Sequence, residues 1–206
     1  MIESLENALQ IVILLFCSGV AVYRTIALKS RFWALLSLVF GSWVLGDLYW
    51  QVYLLYFGHV PQLSLVSDLS WDASYIFLFL LLRRIMDPEE PRMKGILPWL
   101  GPLFAAVMAV FFMQWGKYTA NTVTAVLMGN LLYHVLRGLK YMRGRRRPGK
   151  AFYVTVLAFC LLEYCMWTAS AFFEGDSLLN PYFWFDFLLS VCFLCFLPAA
   201  RKAVAS

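Results

Sequence analysis

Long apolar stretches constrain this chain more than any other feature. Seven of them lie near residues 8–26, 33–56, 66–84, 96–114, 118–137, 152–173 and 182–199. A helix needs about 20 apolar residues to cross the hydrocarbon core of a bilayer. Seven such spans use about 140 residues, and a chain of 206 residues has only short loops left over. Composition agrees: 62% of residues are apolar and 14% charged. Soluble domains run nearer 45–50% and 25%, so too little polar surface is left to coat a soluble particle. Disorder, a secreted disulfide scaffold and a large extramembrane domain are excluded. The expected fold class is all-α: a polytopic membrane protein with seven transmembrane helices in one domain, 1–206.

The breaks between stretches are short and rich in Gly, Pro or charge. They fall at Gly58 to Pro61, Asp87 to Pro91, Gly116-Lys117, Arg143 to Lys150, and Glu174 to Pro181. The break at Gly116-Lys117 predicts a tight hairpin between the fourth and fifth helices.

Cations set the orientation. Arg24, Lys29 and Arg31 flank the first loop. Arg83, Arg84, Arg92 and Lys94 flank the third. The fifth carries Arg137, Lys140, Arg143, Arg145, Arg146, Arg147 and Lys150, and the tail Arg201 and Lys202. With seven spans, all of these fall on one side, and of the 17 Lys and Arg only Lys117 falls on the other. The positive-inside rule then predicts a plasma-membrane protein with Met1 outside and Ser206 cytoplasmic. The net charge of +5 and pI near 9.0 follow from this topology signal and its contact with anionic headgroups, so nucleic acid is not an expected partner. The acidic start, Glu3 and Glu6, is unlike a signal peptide. Leu14-Leu15-Phe16-Cys17 has a residue too bulky for lipoprotein processing, so the segment is expected to be the first span.

Spans 1–3 resemble spans 5–7. Tyr23-Arg24 matches Tyr133-His134, Asp47 in the second span matches Glu163 in the sixth, and Asp72 in the third matches Asp186 in the seventh. A 3+1+3 pseudo-repeat is one reading of this pattern, and parallel repeats occur in small transporters.

These four acids lie inside spans, where each costs roughly 2.5–3.5 kcal/mol at a helix centre unless it faces the bundle interior or a water-filled cavity. Aromatics accompany them: Tyr49, Trp50, Trp71, Tyr75, Tyr164, Trp167, Tyr182 and Trp184. Carboxylates among aromatic faces suit a cation. The candidate ligand-binding residues are therefore Asp47, Trp50, Asp72, Tyr75, Glu163, Trp167 and Asp186. Asp68, Trp71, Tyr164 and Tyr182 form a secondary set. Trp and Tyr near span ends also serve as interfacial anchors, which accounts for Trp99, Trp115, Tyr182 and Trp184 without a site.

Enzyme signatures are missing. Two histidines, His59 and His134, cannot build a three-His zinc site, and no metal or cofactor is expected. Val44 breaks the Gly-x-Gly-Asp of aspartyl membrane proteases. The seventh span has no internal lysine for a retinal Schiff base. Cys192-x-x-Cys195 sits in an apolar helix without a second pair, which reads as packing.

Gly46-Asp47-x-x-Trp50, followed by Gly58, Pro61, Ser64 and Asp68-x-x-Trp71-x-x-x-Tyr75, resembles the multi-span sensor-like N-terminal region of some bacterial diguanylate cyclases. The resemblance covers residues 46–75. It implies a bacterial inner-membrane module that senses a ligand or the membrane and passes its output to a separate chain. The seven-span, N-outside plan is also similar in architecture to SWEET, PQ-loop and KDEL-receptor proteins, although their kinking prolines are absent and Pro61-Gln62 is in a loop. Three functions are open at this stage. One is a receptor- or sensor-like protein that binds a small, cationic ligand from outside. The others are a small-molecule or proton-coupled transporter and an interaction subunit of a larger membrane complex.

Overall fold

Helix boundaries fall where the backbone leaves the right-handed region. Lys29, at φ 48°, separates the first helix from the second, and Gly116 (φ 85°) with Lys117 (φ 51°) separates the fourth from the fifth. The computed structural model describes residues 2–59, 61, 65–92, 95–144, 147–173, 175 and 177–204. Met1, Gln62, Ser64, Lys94, Arg145, Arg146, Glu174 and Ser206, named above, lie outside the described residues. The described residues form seven α-helices: α1 (Ile2–Leu28), α2 (Arg31–Phe57), α3 (Leu65–Ile85), α4 (Leu100–Phe112), α5 (Tyr118–Tyr141), α6 (Lys150–Phe172) and α7 (Pro181–Val204). Short 3₁₀ turns, Leu97–Trp99 and Met113–Trp115, extend α4 at both ends.

Among the described residues, six helical stretches are long and apolar enough to cross a membrane: α1, α2, α3, the run Leu97–Trp115 that contains α4, α6 and α7. The exception is α5, which carries Asn121, Thr124, Asn130 and His134 among its apolar residues. The first helix begins at Ile2, not near residue 8, so Glu3 and Glu6 belong to α1.

Consecutive helices run antiparallel, as the α2–α3 bonds show: Ser74 Oγ donates to Val39 O, and Trp71 Nε1 to Asp47 Oδ1. The packing closes a ring. α1 packs on α2, α2 on α3, α3 on α5, α5 on α6, α6 on α7, and α7 returns to α1. α4 packs on α5 beside this ring. Its buried Gly101, Ala105 and Ala109 recur every fourth residue, and Gly129 of α5 meets Pro102 and Ala105. Small residues at this spacing let helix backbones approach closely, the usual device between apolar helices.

The middle of the ring is filled on the cation-rich side only. Phe32, Phe40, Phe152, Phe159, Phe193 and Phe196 are all buried there. Their rings meet mostly edge to face, at centroid separations of 5.5–6.3 Å, within the favourable range for aromatic pairs. Trp43 caps this plug, 5.3 Å from Phe159 and 5.2 Å from Phe193.

Candidate functional site

Above Trp43, towards the cation-poor end, the ring opens into a cavity of about 740 Å³. Ligand sites typically span about 300–1,000 Å³. Every one of the seven helices contributes to its wall.

The second and third helices supply Asp47, Trp50, Asp68, Trp71, Asp72 and Tyr75. Gly46 explains their arrangement. A Cβ there would lie 2.5 Å from Trp71 Nε1 and 2.9 Å from Cδ1. Only glycine lets the indole lie flat against α2, where its N–H reaches Asp47 Oδ1 at 3.0 Å. Trp71 in turn stands 6.0 Å from Trp50 and 6.4 Å from Trp43. The Gly-Asp pair followed by an aromatic one helix later is therefore a packing unit as well as a sequence pattern.

The opposite wall comes from α6 and α7. Glu163, Tyr164, Trp167, Tyr182 and Asp186 all line the cavity. The Tyr75 hydroxyl donates across the ring to Glu163 Oε2 at 3.1 Å. Asp186 accepts from Gln10 Nε2 of α1. Asp72 accepts from Thr124 Oγ1 of α5 at 3.2 Å. Two acids thus bind across the α3–α5 and α7–α1 seams, one at each.

The seven primary and four secondary residues expected from the sequence accordingly surround one space. Tyr49 and Trp184, grouped with them by proximity in sequence, stay outside it, and the Trp184 indole donates to Leu178 O instead. Tyr182 and Trp115, explicable as interfacial anchors, both line the cavity. Sequence reasoning missed Glu3, Asn7 and Gln10 of α1, Trp43, and Asn121 and Thr124 of α5. Lys117 also lines the cavity, so the acids have a basic residue nearby.

Several polar atoms here have no partner among the described residues. Asp47 Oδ2, Glu163 Oε1 and the Tyr164 hydroxyl are buried and unbonded. Their residues are only 6%, 1% and 4% exposed. Buried polar atoms ordinarily find a partner, from protein or solvent, so these three mark the places where a ligand or water completes the wall.

Two asparagines hold the mouth in shape. Asn121 Nδ2 donates to Phe112 O at 3.2 Å and Gly116 O at 2.8 Å, closing the α4–α5 hairpin. Asn180 does the same before α7, to Phe173 O and Gly175 O, while its Oδ1 accepts the Tyr182 backbone N–H.

At the cation-rich end the loop after α3 is pinned into the bundle. Glu90, read from sequence as a loop acid, is buried. It accepts from Arg137 Nε at 3.4 Å and from the Tyr153 hydroxyl at 3.0 Å. Burial pushes its carboxyl above the usual range, while the Tyr153 and Arg137 contacts oppose the shift. Asp87 pairs with Arg147 at 3.3 Å. Cys192, buried, contacts Thr155 O, and Cys195 is exposed; the cysteine pair faces two environments.

Compared with known protein families, curated proteins and solved structures, the chain matches none.

Proposed function

We propose that this chain is a seven-span plasma-membrane receptor- or sensor-like protein that binds a small cationic ligand from the outer side. The observation that carries the reading is the single acidic and aromatic cavity to which all seven helices contribute, at the end away from the cation clusters. In this reading α5 is the seventh span. It has 24 residues, about 36 Å at 1.5 Å per residue, enough for a core of about 30 Å. Its polarity follows from its place: Asn121 and Thr124 face the cavity and not lipid. Among the described residues, the acids at the wall outnumber the basic Lys117, and a low-dielectric cleft dominated by one sign of charge focuses its field on an opposite charge. The phenylalanine plug below Trp43 blocks a path to the cytoplasmic side, which suits a binder that signals without passing its ligand. The likeness of residues 46–75 to cyclase-linked sensor regions points the same way.

One observation favours a second reading, a transporter of 3+1+3 type. Exchanging α1–α3 with α5–α7 maps the ring onto itself, with the Asp72–Thr124 bond at one seam and the Asp186–Gln10 bond at the other. Such a device would rock its halves about the plug. Purified protein in proteoliposomes separates the two. Saturable binding of organic cations without accumulation supports the sensor, and accumulation inside the vesicles supports the transporter. Stabilisation by anionic ligands alone contradicts the cationic reading of both.

A further inference from the structure

The walls of the cavity also specify what kind of cation it takes, given that the proposed ligand-binding role holds. Cations differ in how they satisfy a carboxylate. A quaternary ammonium offers charge and a methyl surface but no N–H, and an aromatic box alone suffices for it. A primary or secondary ammonium, or a guanidinium, also donates hydrogen bonds, and these to a charged acceptor are the strong class.

Asp47 and Glu163 are each half-satisfied in the same manner. On Asp47 the indole N–H of Trp71 occupies Oδ1, and Oδ2 is left over. On Glu163 the hydroxyl of Tyr75 occupies Oε2, and Oε1 is left over. Both donors are rigid aromatic groups packed around Trp43, so each carboxyl is held in orientation by one oxygen while the other, itself buried, has no partner among the described residues. Both residues are more than nine-tenths buried and both line the cavity. A methyl group against either free oxygen would leave it desolvated and unbonded, which is the costly outcome for a buried acceptor. Nor do these acids gather as a metal site: among the described residues, no three His, Cys, Asp or Glu are grouped to hold an ion. Around them, Trp50, Trp71, Trp167 and Phe112 offer flat apolar faces.

We propose that the ligand is an organic cation with N–H donors on its charged nitrogen and a flat apolar body. Its N–H groups fill Asp47 Oδ2 and Glu163 Oε1, and its body stacks on the tryptophans.

The test uses three probes that share one body and differ only in N–H count. Phenethylamine has three on its ammonium, N,N-dimethylphenethylamine has one, and phenethyltrimethylammonium has none; all three are cations at neutral pH. Binding to the purified full chain is measured by calorimetry or intrinsic tryptophan fluorescence. Affinity should fall along the series, by roughly ten-fold or more between the first and the last, the worth of one hydrogen bond to a charged group. In the double variant Asp47→Asn, Glu163→Gln the spread should shrink to within about three-fold, because the amides retain the shape and lose both charged acceptors. The wild-type series decides the matter even if a variant fails to fold. Equal or tighter binding of the quaternary probe would overturn the donor requirement while leaving a cation-binding cavity intact. Binding of sodium or potassium alone, with no response to any of the three probes, would overturn this inference. Stabilisation only by neutral or anionic compounds would overturn the cationic ligand of the proposed function as well.

Discussion

Replacing Gly46 with alanine should loosen the cavity from a distance, through one methyl group. The new Cβ would sit 2.5 Å from Trp71 Nε1, and ordinary contact begins at 3.4 Å. The indole must therefore retreat by roughly 0.9 Å, the difference between those two distances. A retreat of that size away from α2 stretches the 3.0 Å bond to Asp47 beyond the reach of a hydrogen bond. Overpacking of this kind costs about 1–3 kcal/mol, and loss of a hydrogen bond to a charged group about 1.5–3 kcal/mol. The two overlap, since the same movement causes both, and alanine returns up to about 1 kcal/mol in helix propensity. The net expectation is a loss of about 2 kcal/mol, or roughly 4–8 °C in melting temperature for a chain of this size. Gly41→Ala is the internal control. It lies in the same helix with nothing within 4 Å of the added carbon, so it should be neutral or stabilise by up to about 1 kcal/mol. Thermal unfolding in one detergent, followed by near-ultraviolet circular dichroism, compares the pair. Equal stability of the two variants would refute the claim that Gly46 exists to seat Trp71.

Tyr75→Phe should destabilise by about 1–3 kcal/mol, because it strips the donor from the buried Glu163 Oε2; adding Glu163→Leu should recover part of that loss in a double-mutant cycle. Asn121→Ala removes both carbonyl contacts that close the α4–α5 hairpin, so it should cost about 1–2 kcal/mol and raise protease sensitivity between Trp115 and Tyr118. Glu90 has its folded pKa raised by burial, so its contribution to stability is full below pH 4.5 and declines as pH rises through the folded value. Glu90→Gln should flatten the pH dependence of melting in that window, and an unchanged slope would show that another group titrates there.

Much of this architecture is legible in the chain because a bilayer admits few solutions. Acids such as Asp47 and Glu163 announce themselves, since an ionisable residue amid apolar sequence must face inward. Helix periodicity does the rest of the work for Trp71 and Tyr75, which follow Asp68 at spacings of about one and two turns. The first helix is harder. Its polar start, Glu3 to Asn7, falls outside the first apolar stretch because hydropathy averages over a window, whereas a helix facing a wet cavity can carry polar residues along its end. The same reasoning explains α5, whose Asn121 and Thr124 lower its mean hydropathy because they face the cavity. Lys117 and Glu90 are hard to read for a different reason: they are loop or turn residues by sequence, and only tertiary packing brings one to the cavity wall and buries the other. The phenylalanine plug carries no signal at all, because Phe is as common against lipid as against Phe.

The central claim is a cavity open to the outer solvent. In a cysteine-free background, Ala120→Cys and Thr124→Cys place single thiols on its α5 wall. Intact cells are treated with a charged, membrane-impermeant thiosulfonate, before and after permeabilisation. Both thiols should react in intact cells, and phenethylamine should slow the reaction. Labelling that appears only after permeabilisation, or not at all, would contradict an outward-facing cavity.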